Sequence, residues 1–242
     1  MHSSSITVNT NISPRDGMFA GNYDHYFSVG RSALLSIQCA LQLAEAPPPM
    51  RVLDLPCGHG RVLRALKAEF ADAEISACDI DLDGIQFCRQ ELGAVAIPSH
   101  EDCSRIPLDG EYNLIWCGSL ITHLDAIRTR DFLRLFAAHL AVGGVLVFTT
   151  HGRRSVELFR AGTAKYLLES EDAVFEDIIR QYEETGFGYH DYSHIPKYGV
   201  SLTKLVWICQ ALESLSPRLS LLVANEAGWD HHQDVIACAR KC

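Results

Sequence analysis

The segment Asp54-Leu-Pro-Cys-Gly-His-Gly60 carries the sharpest chemical signal in this 242-residue chain. An apolar run, Arg51–Leu55, enters a turn with glycines at 58 and 60, and a helical pattern opens directly afterwards. Glycine lets backbone approach a ligand closely, and a helix start offers free N–H groups and positive potential. A carboxylate or phosphate is the natural tenant of such a turn. Asp54 would repel a phosphate but suits a ligand that carries an ammonium group. Asp79 ends the next apolar run, Glu74–Asp79, where an acid can accept both ribose hydroxyls of an adenosine. Asp102, in Glu101-Asp102-Cys103, follows a third short run and is placed to take an amino group such as that of adenine. The loop is not Gly-x-Gly-x-x-Gly, because Cys57 stands where nucleotide-binding dehydrogenases want a glycine.

A second set of groups falls further along. His123 follows the run Tyr112–Cys117, and His151 follows Thr149-Thr150 at the end of another. In an open α/β sheet, ligands bind outside the carboxyl ends of the strands. Histidine titrates in the range that lets it take a hydroxyl proton, so both are candidate general bases, against the plainer reading of pocket or loop histidines. Tyr192 and Tyr198, in a Tyr-, His- and Gly-rich stretch, and Trp229 are candidate acceptor contacts. The run Tyr23-Asp-His-Tyr-Phe27 reads either as a cover for the ligand, with Tyr26 in contact, or as a staple for the helix it opens. Eleven histidines invite a metal reading, but no His-Glu-x-x-His occurs, His231 and His232 are adjacent, and Cys238 and Cys242 lack a second pair, so no metal site is expected.

The elements that must position these groups alternate. Strands are expected at Arg51–Leu55, Glu74–Asp79, Ala94–Pro98, Tyr112–Cys117 and Val145–Thr150. Helices fall between them, marked by Val62, Leu66 and Phe70, by Ile85, Cys88 and Leu92, and by Phe132, Phe136 and Leu140. This is the pattern of a parallel sheet covered on both faces. Pro47-Pro48-Pro49 separates an N-terminal segment with Leu34, Ile37, Leu41 and Ala44 at helical spacing. After Thr150, helices are expected near Ser155–Ala161 and Glu171–Thr185. An irregular loop or short hairpin over Phe187–Gly199 follows, then a helix carrying Leu202, Leu205, Val206, Cys209 and Leu212. A closing hairpin joins Leu219–Asn225 to Asp234–Ala239. The implied units are a cap at 1–46, a ligand-binding core at 47–152, a helical and loop insertion at 153–200 forming an acceptor lid, and a closing helix and hairpin at 201–242.

Composition bounds the function. Thirty acidic against 21 basic residues give a formal charge of −9, which disfavours nucleic acid or an acidic membrane as partner. With 48% apolar and 21% charged residues the chain is a folded globule. No apolar run approaches the ~20 residues that span a bilayer, and the N-terminus carries no secretory pattern. Nine cysteines without a Cys-x-x-Cys pair suit a reducing cytoplasm.

The motifs together resemble class I S-adenosylmethionine (SAM)-dependent methyltransferases. Asp54–Gly60 is similar to the family's first motif, Cys78-Asp-Ile-Asp81 to its acidic second motif, and His100–Cys103 to its adenine contact. Tyr112–Leu124 and Leu140–Thr150 resemble its fourth- and fifth-strand motifs. The likeness covers residues 48–152 well. It implies a Rossmann-like, seven-stranded, mostly parallel sheet with helices on both faces and an antiparallel C-terminal hairpin. It also implies a site in which Gly58 and Gly60, with Pro56 and Cys57, pass close to the methionine moiety and Asp54 lies near its ammonium. Asp79 would hold the ribose, Ile80 pack on adenine, Asp102 and Cys103 contact the adenine edge, and Cys117-Gly118 lie beside the sulfonium. The product would be S-adenosylhomocysteine (SAH), and the acceptor a small molecule or glycan, methylated at oxygen. Pro56 departs from the commoner small residue. The Asn-Pro-Pro-Tyr-like signature of amino-group methylation on DNA or protein is replaced by Cys117-Gly-Ser-Leu120, which argues against a nucleic-acid substrate. The alternatives are a NAD-dependent oxidoreductase on a similar sheet and a non-catalytic SAM-fold scaffold.

Overall fold

The structure is a computed structural model that describes residues 7–163 and 172–241. The first six residues, Glu171 at the head of an expected helix, and Cys242 lie outside the described residues.

Strands β1 (Arg51–Asp54), β2 (Glu74–Asp79), β3 (Val95–Pro98), β4 (Tyr112–Cys117) and β5 (Leu140–Thr150) are joined through α2 (Leu63–Glu69), α3 (Leu82–Leu92) and α4 (Ala126–His139). They form a parallel array closed by an antiparallel pair, β8 (Leu219–Trp229) and β9 (Gln233–Arg240), in the order β3-β2-β1-β4-β5-β9-β8. The expected seven-stranded Rossmann-like sheet is therefore present. Successive side chains point to opposite faces and both faces are covered, which explains why these runs read as continuously apolar. Leu53, Ile115, Leu146, Phe148, Ile236 and Cys238 point to one face, with α4 and α7 (Leu205–Glu213). Val52, Leu114, Trp116, Val145, Val147, Val235 and Ala237 point to the other. There they meet α1 (Tyr23–Leu43) through Val29, Ala33, Ile37 and Ala40, and also α2 and α3.

Local chemistry sets the boundaries. Asn22, Asp81 and Asp125 cap α1, α3 and α4 by accepting first-turn amides, and Gly93 ends α3 with φ +63°. At Gly30 a Cβ would stand 2.6 Å from the Arg61 carbonyl, so α1 lies directly on the chain leaving the Asp54 loop.

Beyond β5, α5 (Arg153–Arg160) and α6 (Asp172–Thr185) pack on a separate two-stranded sheet, β6 (Phe187–Tyr192) with β7 (Ile195–Thr203). Val156, Phe159, Ile178, Ile179, Tyr192, Val200 and Leu202 make a small core of their own. The stretch read as a loop or hairpin is a hairpin. Leu202 belongs to β7 and not to the helix that follows: its helical spacing from Leu205 is accidental, because it shares one face of the strand with buried Val200. Likewise β5 begins at Leu140, ahead of the expected Val145. Gly143, at φ +76°, sits where the pairing with β4 slips between Tyr112 and Leu114.

Candidate active site

The sheet order reverses between β1 and β4, and a crevice opens outside the carboxyl ends at such a switch point. The Asp54 loop leaves β1 there and Cys117–Ser119 leaves β4. The loop is held from both sides: Leu55 N–H donates to Trp116 O and Cys57 N–H to Cys78 O. Gly58 and Gly60 adopt φ +50° and +82°. A Cβ on Gly60 would stand 2.6 Å from Leu92, whereas nothing lies within 4 Å of a Cβ on Gly58, so open space faces the loop at that residue. Gly84 lets α3 close on the loop, since a Cβ there would be 2.6 Å from the Gly58 carbonyl.

The carboxylates occupy distinct environments. Asp79, at the end of β2, accepts from Gly58 N–H at 2.7 Å and Asp81 N–H at 2.9 Å. A carboxylate offers about four lone-pair sites, and since the Ile80 amide also acts on Asp79, about one or two remain for diol hydroxyls. Burial raises its pKa against the pull of those amides. Asp54 is 1% exposed, and neither carboxylate oxygen has a hydrogen-bond partner among the described residues. Burial, and then the charge of Asp79, raises its pKa well above the usual carboxylate range. A buried, unpartnered carboxylate beside an open loop is a place prepared for a cation. Ile80 is 60% exposed on the lip, an apolar surface fit for a flat base. Asp102 is exposed and holds Ser104 through one oxygen, which lowers its pKa. Cys103 is half-buried beside it. These features fit SAM: a diol acceptor at Asp79, an apolar shelf at Ile80, backbone space at Gly58 and buried negative potential at Asp54.

The cluster of histidines and tyrosines is assembled by tertiary structure. His123 and His151 come within 6.4 Å between ring centroids, and His232 lies 6.0 Å from His151. Tyr198 stacks on His123 at 4.8 Å, and Tyr192 packs against both. His123 Nδ1 faces the Gly199 carbonyl at 2.8 Å and the Tyr192 hydroxyl at 3.0 Å. A carbonyl can only accept, so Nδ1 carries the hydrogen and Nε2 of the neutral ring keeps its lone pair. Burial lowers the pKa of His123. The pKa of His151 is lowered further, by burial and then by the neighbouring His123 and His232. Tyr198 is pushed up to about 12 by burial and then by the charge of Asp79, which links β7 electrostatically to the carboxyl end of β2.

Several sequence readings are corrected. Tyr26 does not face the loop's open side. It is 1% exposed, donates to Asp16 at 2.6 Å and lies under the Arg64 guanidinium. Trp229 is no acceptor contact: it is 3% exposed, donates to Val29 O at 3.0 Å and meets Trp116 edge-on. Both aromatics were drawn inward because their polar tips find partners there. The Cys117 thiol is buried in the core, and Gly118 is required because a Cβ would stand 2.8 Å from the Trp116 ring. Nor does α2 present a full set of free first-turn amides. It begins at Leu63, and the Arg64, Ala65 and Leu66 N–H groups are taken by Gly60 O and Val62 O.

The residues that sequence reasoning missed are polar and remote from one another in the chain. Gln233 accepts from Thr149 Oγ1 and donates to Ser119 Oγ, and Thr149 Oγ1 accepts from Ser119 N–H. This buried network ties β4, β5 and β9 beneath the histidines. His59, 6% exposed, bonds Asp83 at 3.0 Å and clasps the loop to α3. Its only sequence signal was its position between two glycines.

Sheet order, glycine loop and paired carboxylates together define a class I SAM-dependent methyltransferase. A family model described as a methyltransferase domain matches residues 31–211, and the chain belongs to that family. This sets aside the NAD-dependent alternative. The chain is similar to a malonyl-[acyl-carrier protein] O-methyltransferase of Bacillus cereus, 26% identical over 144 residues, covering 59% of this chain and 53% of that one. It is also similar to the biotin biosynthesis bifunctional protein BioCD of Bordetella avium, 28% identical, covering 64% and 35%. The chain spans about half the length of the O-methyltransferase relatives it matches. Among solved structures, an S-adenosylmethionine-dependent methyltransferase from Clostridium acetobutylicum shares the fold at TM-score 0.59 and 13% identity, covering 92% and 94% of the two chains. Magnesium protoporphyrin IX methyltransferase from Synechocystis, with bound SAH, does so at 0.58 and 12%, covering 90% and 85%. Among the described residues no helix is long and apolar enough to cross a membrane, and no group of side chains is placed to hold a metal ion.

Proposed function

We propose that this protein methylates an oxygen of a small-molecule or sugar-containing acceptor, with His123 as general base. The observation that carries this reading is the bond from His123 Nδ1 to the Gly199 carbonyl in a ring that burial keeps neutral. An imidazole held in that tautomer is ready to receive a hydroxyl proton at Nε2. SAM, when bound, supplies an activated methyl group that needs only alignment with the nucleophile. Asp79 holds the diol, Asp54 supplies negative potential and Gly58 gives backbone room. Tyr192 and Tyr198 wall the acceptor side, His151 backs the base, and the described elements of the 153–200 insertion, α5, α6 and the β6–β7 hairpin, act as the acceptor lid. The names of the curated relatives, O-methyltransferases, support oxygen as the target. The unpaired cysteines suit work in the cytoplasm.

The test is methyl transfer from labelled SAM to panels of phenols, sugars, carboxylic acids and amines, with the wild type and His123→Asn. Transfer to hydroxyls, with kcat lowered ~10²–10⁴-fold in the variant and SAH affinity unchanged, is expected. Transfer to amines alone, or a wild-type rate in His123→Asn, would sink the proposal. Bound SAM with no transfer to any panel would favour the scaffold alternative.

A further inference from the structure

Arg64 is among the largest fully buried side chains, 1% exposed, in the first turn of α2. A guanidinium has five N–H donors, and all five are spent here. Nε donates to Gly60 O at 3.0 Å. One terminal nitrogen donates to Asn9 O at 2.8 Å and Asn11 O at 2.7 Å. The other reaches His59 O at 3.3 Å and the Tyr26 hydroxyl at 3.4 Å. Two acceptors thus belong to the glycine loop and two to the N-terminal strap, residues 7–16. The fifth, Tyr26, passes its own proton to Asp16 in that strap.

The strap is fastened a second time. Asn9 and Asn11 side chains donate to the backbone and carboxylate of Glu91 on α3, at 2.9 and 2.7 Å. Arg15 meets Asp83 at 2.9 Å, and Asp83 also holds His59. The contacts close a ring: loop, Arg64, strap, α3, His59, loop. A buried cation without a direct carboxylate partner is costly unless its hydrogen bonds are complete. Completing them with loop carbonyls fixes the peptide planes at residues 59 and 60. Because a trans peptide sets its C=O and N–H on opposite sides, this turns the Gly60 N–H, which donates to Cys57 O at 2.9 Å, and the Arg61 N–H away from Arg64.

We propose that Arg64 is a positioning residue for the cofactor loop, through which the N-terminal strap sets the affinity for SAM. The inference rests on the class I cofactor reading. A lysine at 64 keeps the charge but has three donors on a flexible stem and cannot span five acceptors.

The experiment measures SAH affinity by calorimetry well below the melting temperature, together with amide hydrogen exchange. Arg64→Lys is expected to weaken SAH at least ~10-fold. It is also expected to speed exchange at Gly58 and Gly60 while the amides of β4 and β5 stay as in the wild type. The double variant Asn9→Ala/Asn11→Ala unhooks the strap from Glu91 with Arg64 in place, and should weaken SAH about three- to tenfold. Wild-type affinity in a folded Arg64→Lys, or exchange that rises evenly across the sheet, would overturn the inference and leave Arg64 a stability residue. Should Arg64→Lys fail to fold, the strap variant decides, and wild-type affinity there overturns the inference. No SAH binding by the wild type would overturn the cofactor reading and this inference with it. Binding by the wild type with unchanged variants overturns the inference alone.

Discussion

Asp54→Asn should stabilise the unliganded protein and cripple cofactor binding. Both carboxylate oxygens of Asp54 are buried without a partner among the described residues. The folded-state pKa is raised above its unfolded value by burial and by Asp79. For a raised pKa the sign is fixed: the group favours the fold below its unfolded pKa and weighs against it as pH rises. At neutral pH the unfolded chain holds Asp54 ionised in water, while the fold must protonate it or bury its charge. An unsatisfied buried group costs about 1–3 kcal/mol, more when charged. The isosteric amide keeps its polar atoms unsatisfied in the same place but sheds the cost of burying or neutralising a charge, on the order of 1 kcal/mol, so at ~2–4 °C per kcal/mol for a chain of this length Tm should rise by roughly 2–4 °C. A unit cation a few ångströms from that charge gains a few kcal/mol at an effective dielectric near 20. Losing ~2–3 kcal/mol of it would weaken SAM and SAH by ~30–150-fold. Thermal unfolding without ligand, and calorimetry with SAH, read the two halves separately. The Tm advantage should narrow as pH falls towards 4. A lower Tm without ligand, or unchanged SAH affinity, would refute the argument that Asp54 is a strained charge kept for the cofactor.

Asp79→Asn should abolish measurable SAH binding, a loss of ~100-fold or more, because charge-assisted bonds to a ribose diol are worth ~1.5–3 kcal/mol each. Affinity within a factor of two in calorimetry would refute the ribose assignment. For His123 and His151 the sign is opposite to that of Asp54. Their pKa values are depressed, so the unfolded chain takes up protons first as pH falls past ~6.5. Stability is complete above that pH and falls below it, by as much as ~2.7 kcal/mol per pH unit when both sites differ by a full proton. Denaturant melts from pH 7.5 to 5 should show a shallower slope in His123→Asn. An equal slope would mean that His123 titrates alike in both states.

The sequence by itself determined the half of the site that is local. Asp54, Gly58, Gly60, Asp79 and Ile80 lie on two consecutive strand-to-loop junctions. The alternation of strands and helices alone puts them at the carboxyl end of a parallel sheet, so residue type and spacing sufficed. Tertiary structure decided the rest. His123, His151, His232, Tyr192 and Tyr198 come from four separate segments, and no local pattern says that Gly199 O will face His123 Nδ1. Tyr26 and Trp229 looked like ligand contacts because an aromatic with a polar tip reads the same on a pocket wall as in a core. Only the positions of Asp16, Arg64 and the Val29 carbonyl settled which. Arg64 was silent for the same reason: an arginine on a short helix reads as solvated until five acceptors from the loop, the strap and α1 converge on it. Short-range order follows from backbone periodicity, whereas the pairing of polar groups across the fold is fixed only when packing brings them together and water is excluded.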